Sequence, residues 1–315
     1  MGRGAEGVRM RALRAVALMA ATTVMLPAAI WAQQSDERSR CFAREGVSPQ
    51  QKLDSCTAVI ESGRQTPQGL VAAFNSRGNV HLSNRNYDRA IDDYNEAIRL
   101  DPKYAIGFNN RGLAYQRKGQ NDRAIDDFGE AIRLNPTYAM AFVNRAEARR
   151  VKGRIDLAIE DSDRAIGLNR SLAAAFLARG TAYQDKAQWD FDAYLDEGVY
   201  EDRAVQDFDE AIRLDPNNAA AFRNRGFVNT RRQRYDRAIQ DFDEAIRLNP
   251  SVASAFSGRA YALRFVGQYE RAIADYRKAL TLQLDDANRK QIEKSLKQLG
   301  AIAERDATPA AAAKR

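Results

Sequence analysis

The chain has 315 residues, 44% hydrophobic and 29% charged, with 49 Lys and Arg against 42 Asp and Glu. That apolar share supplies a continuous core and excludes a disordered body. A formal charge of +7 on so long a chain gives no ground for a nucleic-acid partner.

Residues 1–32 read as a leader. Arg3, Arg9, Arg11 and Arg14 precede an apolar run from Ala15 to Leu26, followed by Pro27 and the small residues Ala28, Ala29 and Ala32. This is the order of a Sec signal peptide, with the cut expected between Ala32 and Gln33. An uncleaved anchor is the alternative, because 15–32 nearly reaches the length of a membrane span. No cysteine follows closely enough for a lipid anchor, and no other segment is apolar enough to cross a bilayer. With Glu6, the leader carries a net +3, leaving +4 on the exported chain.

Segment 33–70 holds both cysteines, Cys41 and Cys56. In an exported chain such a pair is expected to form a disulfide. Closing a loop of about 15 residues stabilises a fold by roughly 3 kcal/mol. The redox alternative lacks C-x-x-C spacing and any neighbour that would activate a thiolate. Leu53, Cys56, Val59 and Ile60 share one helical face, which predicts a helix over 51–62, the second half of a degenerate hairpin. The disulfide would tie an upstream strap around Cys41 and Phe42 onto it.

From 71 to 286 one motif recurs. Phe74, Phe108, Phe142 and Phe176 are spaced by 34, Phe222 follows after 46, and Phe256 after another 34. A fixed period of this length means one helical hairpin stacked many times, because no single hairpin buries its own apolar face. The units start at 71, 105, 139, 173, 219 and 253. The second helix is clearest from Asp88 to Leu100, where Ala90, Tyr94, Ala97 and Ile98 form an apolar stripe. Asp101-Pro102, Asn135-Pro136, Asp215-Pro216 and Asn249-Pro250 end second helices, since proline cannot continue a helix. Asn169-Arg170 and Gln283-Leu284 depart from that ending.

These residues resemble the tetratricopeptide repeat family over six full units. The hallmark positions 4, 8, 20, 24, 27 and 32 are filled in the first unit by Phe74, Gly78, Ala90, Tyr94, Ala97 and Pro102. The second unit supplies Phe108, Gly112, Ala124, Phe128, Ala131 and Pro136; the third departs most, with Ser162 for the aromatic. The resemblance implies an all-α, right-handed solenoid that binds protein or peptide along a concave groove. Together with the leader it is similar to exported bacterial proteins, periplasmic or extracellular.

Two positions recur in every unit. Arg77, Arg111, Arg145, Arg179, Arg225 and Arg259 stand at position 7, and Asp93, Asp127, Asp161, Asp207, Asp241 and Asp275 at position 23. The family places an apolar contact at position 7, so an Arg there should lay its stem on the second helix and reach a carboxylate. A ladder of Arg–Asp pairs within the units is expected, in preference to an anion-binding strip.

The groove implied by the family offers Asn75, Asn79, Asn109, Asn110 and Asn144 early, then Arg223, Asn224, Phe227, Arg231, Tyr261, Arg264 and Phe265. Asparagine amides suit the main chain of an extended peptide; Arg with aromatics suits acidic or aromatic side chains. Asn110, Asn144 and Asn224 at position 6 are similar to the asparagine ladder of peptide-holding arrays, broken by Ser76, Ala178 and Gly258. The lysines of the family's carboxylate clamp are missing.

The 46-residue step places 12 extra residues near 188–199, in an acidic and aromatic stretch with Trp189, Phe191 and Tyr194. Such insertions map to one edge of a stack, often a binding edge. Asp190 and Asp192 match the start of a calcium loop, but its glycine and final Glu are missing. Segment 285–300, with Ile292, Leu296 and Leu299 inward, reads as the polar cap that an array requires. Residues 301–315 are expected to be disordered. The single histidine, His81, occupies the register of Tyr115 and Tyr183. No catalytic, phosphate-binding or metal motif occurs, so neither enzyme chemistry nor a cofactor is expected. The expected role is a non-enzymatic scaffold gripping a partner in its groove. The competing role is a subunit that docks through its convex or edge surface, including 188–202.

Overall fold

The computed structural model describes residues 36–43, 45–189 and 198–306, except the side chains of 189 and 301–306. The leader, Phe191, Tyr194 and the Trp189 side chain lie outside these residues. Among the described residues all regular structure is helical. The chain divides into two bodies, one ending at Pro136 and the other beginning at Thr137.

The first body runs α1 (36–42), α2 (Pro49–Glu61), α3 (Pro67–Ser83), α4 (Tyr87–Leu100), α5 (Ala105–Arg117) and α6 (Asn121–Leu134). The expected strap is thus a short helix. Cys41 on it is bonded to Cys56 on α2, and the pair is buried with Val59 and Ala73. The helix expected from 71 begins at Pro67. Thr66 caps it, its Oγ1 accepting from the Gly69 N–H at 3.1 Å, with proline placed at the first helical position where it suits.

The second body runs α7 (Ala139–Val151), α8 (Ile155–Leu168), α9 (Ala173–Trp189), α10 (Val199–Leu214), α11 (Ala219–Arg231), α12 (Tyr235–Leu248), α13 (Ala253–Phe265), α14 (Tyr269–Leu280) and α15 (Asp286–Asp306). Within each body the two helices of a unit pack together, and each second helix packs on the first helix of the next unit. The cap α15 continues to Asp306 instead of ending near 300, because Ala301, Ala303, Glu304 and Arg305 are strong helix formers.

The turns explain the boundaries. Position 15 of a unit adopts a left-handed backbone at Gly119, Gly153 and Gly267, and also at Arg85 (φ 61°) and Gln233 (φ 57°). Glycine adopts this freely, other residues with strain. In the fourth unit the position is Ala187, and α9 runs on to Trp189, where the insertion begins. Between units, Asp101, Asn169, Asp215 and Asn249 each accept the N–H two residues on, at 2.9–3.2 Å. This Asx turn is why Asn169-Arg170 ends a helix without proline.

The core follows the repeat. Tyr94, Phe128, Phe208 and Phe242 at position 24 are fully buried. A Cβ added at Gly78, Gly112, Gly180 or Gly226 would come within 2.7–3.0 Å of the respective ring. In the third unit Ser162 replaces the ring, donates to the Ala158 carbonyl at 2.8 Å, and Ala146 stands where four other units have glycine.

Candidate functional site

The functional surface is what remains once the scaffold has taken its side chains. All six expected Arg–Asp pairs form, at 2.6–2.7 Å, on aspartates with 4–9% side-chain exposure. Each guanidinium also lies 5.3–5.8 Å from the ring of the phenylalanine three residues before it. That adds cation–π attraction to the charge-assisted bond. Burial pushes the Asp127, Asp207 and Asp241 carboxyls up from their ordinary value even with a guanidinium facing them. Desolvation therefore offsets much of the Coulomb gain, and the pairs specify register more than they add net stability.

The same arginines also link successive hairpins. Nη1 of Arg77 donates to Thr57 Oγ1 and that of Arg111 to Asn95 Oδ1. In the second body Arg179, Arg225 and Arg259 reach Asp163, Asp209 and Asp243 at 2.5–2.6 Å. A second set of links joins Lys118 to Asp88, Lys186 to Asp156 and Arg232 to Asp202. These inter-hairpin bonds escaped the sequence reading. His81 stands 3.9 Å from Asp93, and burial holds its imidazole below the ordinary value.

The asparagines of the first body bond to one another across hairpins, with Asn79 still exposed. Asn110 donates to Asn75 Oδ1 at 2.8 Å and to Asn79 Oδ1 at 3.2 Å, and Tyr94 donates its hydroxyl to Asn79 at 2.8 Å. Asn109 is 2% exposed and donates to Asn110 Oδ1. It does not line an open groove as expected; the turn of α5 directs it into the packing. Asn75, Asn79 and Asn110 thus cross-link α3 to α5, and Asn79 and Asn110 also line a pocket of about 500 Å³ with Leu82, Tyr87 and Leu113.

In the second body Asn144 is half-buried on α7. Asn224 is buried as well, donating to Thr181 Oγ1 on α9 at 3.1 Å and accepting from Arg223. Beyond it the surface opens into a cleft of about 740 Å³ between α9, α11, α12, α13, α14 and α15. Phe227, Tyr235, Tyr261, Phe265 and Tyr276 supply its rings. Tyr235 stacks on Phe265 at 4.7 Å, Tyr261 leans on Phe265 at 5.0 Å, and Phe227 meets Phe242 edge-on. Tyr261 and Phe265 remain 44% and 49% exposed. Gly258 also lines the cleft, and a Cβ there would come within 2.5 Å of Phe242. The cleft thus brings together Phe227, Arg231 and Tyr261, while Arg264 stands over the Phe265 ring at 5.8 Å, outside the lining. Tyr235, Tyr276 and the α15 residues Asn288, Gln291 and Ile292 were missed, because the cap lies beyond the repeat and Tyr235 and Tyr276 stand on second helices, outside the first-helix positions assigned to the groove.

Arg231 carries the only charge among the lining residues, and it is engaged. It donates to the Ala187 carbonyl at 3.0 Å and to Glu201 at 2.9 Å, so it caps α9 at a C-terminal end that favours cations. Arg232 reaches the Gly198 carbonyl at 2.6 Å and Asp202. The two arginines hold both flanks of the insertion.

Comparison with known proteins agrees with this architecture. Profiles described as TPR repeat and tetratricopeptide repeat match residues 78–119, 105–138, 191–253 and 253–286. No curated protein matches the chain in sequence. Among solved structures, a tetratricopeptide repeat protein from Parabacteroides merdae aligns at 18% identity over 80% of this chain and 92% of its own, with a TM-score of 0.60. The pilF protein of Pseudomonas aeruginosa aligns at 14% identity over 73% and 100%, TM-score 0.60. A TPR protein of Thermus thermophilus aligns at 22% identity over 61% and 98%, TM-score 0.54. Identities this low speak for the fold alone.

Proposed function

The chain is a tetratricopeptide repeat protein, and from that premise we propose that it is an exported, periplasmic scaffold whose second body grips a segment of a protein partner in the α11–α13–α15 cleft. Proteins of this family generally act by binding protein partners. The observation that carries the reading is the pair of exposed rings, Tyr261 and Phe265, over a cleft bordered by polar groups that are uncharged except for Arg231. Aromatic anchors with a polar rim are the usual composition of a binding hot spot. Export rests on the leader sequence, and among the described residues no helix is long and apolar enough to cross a membrane.

A photo-crosslinking residue in place of Tyr261, in the full chain inside cells, tests the cleft. Adducts are expected from that position and not from the exposed Arg99 position; adducts from Arg99 alone would overturn the reading. The intact mass of the exported chain tests the leader, with loss of 1–32 expected. A second reading, docking through the edge at 188–202, is favoured by the clamping of that segment's flanks by Arg231 and Arg232. It predicts crosslinks at the exposed Val199 in place of Tyr261.

A further inference from the structure

His81 is the single histidine of the chain, and it stands where two other units add a bond to the Arg–Asp ladder. At the same place in its hairpin Arg149 donates to Asp161 at 2.7 Å, and Asn229 donates to Asp241 at 2.8 Å. His81 Nε2 stands 3.9 Å from Asp93 Oδ2, beyond hydrogen-bond reach. Arg77 already holds that carboxylate through Nε and Nη2. The imidazole is 12% exposed, and its Nδ1 is sealed from solvent with no hydrogen-bond partner among the described residues.

This geometry sets what a proton does there. In the neutral ring one N–H suffices, and it belongs on Nε2, facing the Asp93 carboxylate. The imidazolium carries an N–H on both nitrogens. Its second N–H points from Nδ1 into packing that offers no acceptor, and a buried donor left unpaired is costly. The charges around the ring do not reverse this. Burial is the largest effect and disfavours the cation; Asp93 of α4 favours it, while Arg77 of α3 and Arg89 of α4 disfavour it. The other helices packed on α3, α2 and α5, bring no charge to the ring. The folded chain therefore binds this proton more weakly than the unfolded chain. The stability that depends on it is complete above the ordinary imidazole value of 6.5 and is lost as the pH falls through that value.

We propose that His81 is an acid-sensitive joint of the first body, at which uptake of one proton on Nδ1 loosens the α3–α4 hairpin. The second body has no histidine and stays closed. The hairpin that loosens is the one that fixes Asn79. Tyr94, next to Asp93 on α4, donates its hydroxyl to Asn79, and Asn110 of α5 donates to it as well. Acid thus reaches the amide-linked surface of α3 and α5 and leaves the aromatic cleft as it is. The inference is independent of what the cleft binds.

Because the histidine is unique, the proton on its Cε1 reports its titration directly by nuclear magnetic resonance of the full chain. Its midpoint is expected below that of the same chain unfolded in urea. Two variants supply the control: His81→Asn, the residue that bonds the ladder at Asn229, and His81→Tyr, the residue of Tyr115 and Tyr183. Between about pH 7.5 and 5.5 the unfolding constant of the parent should rise by about threefold or more relative to either variant. Hydrogen exchange, corrected for its intrinsic pH dependence, should show the opening in α3 and α4 of the parent. A titration midpoint at or above that of the unfolded chain would overturn the proposal. So would parent-to-variant ratios that do not change with pH, or an acid opening confined to α11–α15.

Discussion

Two first-helix faces in this protein follow one plan and end in opposite states. Around α3 and α5, Asn75, Asn79, Asn110 and Tyr94 satisfy one another. Around α11 and α13, Tyr261 and Phe265 stay half-exposed, and among the described residues no carboxylate pairs with Arg223. The difference teaches that residue type alone does not make a binding surface. An amide already bonded across hairpins offers little to a ligand, whereas an exposed ring offers its whole face.

The Arg–Asp ladder is common to both bodies, so it should fail equally in both. Arg111→Ala and Arg259→Ala remove the paired guanidinium from the buried carboxylates Asp127 and Asp275 and should each lose about 3–5 kcal/mol, read from denaturant midpoints. Lysine at either position should not rescue, since it lacks the fork and stacks poorly. Tolerance in one body alone would show that the ladder is not the shared frame. Next in size is the Cys41–Cys56 bond, whose removal by Cys41→Ser with Cys56→Ser should lower stability by about 3 kcal/mol. Hydrogen exchange should place that loss in α1–α3 and leave the α11–α15 amides unchanged. Smallest are the strained turns. Arg85→Gly and Gln233→Gly relieve a left-handed backbone and should each raise the unfolding free energy by about 0.5–1 kcal/mol, one in each body.

Much of this was legible in the sequence because it repeats. The 34-residue step fixed the hairpins, and the recurrence of Arg at position 7 with Asp at position 23 identified the ladder before any geometry. The links from Arg Nη1 to the preceding hairpin were hidden because their acceptors differ in type: Thr57, Asn95, Asp163, Asp209 and Asp243. Asparagine gave the wrong impression at Asn109, since a donor and acceptor inventory does not reveal which groups stand opposite. Half of the cleft was legible as Phe227, Tyr261 and Phe265. The rest comes from α15 and from Tyr235, whose roles depend on the end of the stack instead of its period. Arg231 was read as groove-lining without its partners, because the insertion moves Glu201 out of the 34-residue register.

The contrast between the two faces is tested most directly by pairing Asn110→Ala with Phe265→Ala and measuring melting midpoint and crosslinking at Tyr261 in each. Asn110→Ala is expected to lower the midpoint, by about 1–2 kcal/mol of stability, with adducts unchanged. Phe265→Ala is expected to lower the midpoint no more than Asn110→Ala does, through its lost stacking on Tyr235, and to lose the adducts. Adducts lost with Asn110→Ala and retained with Phe265→Ala would contradict the account.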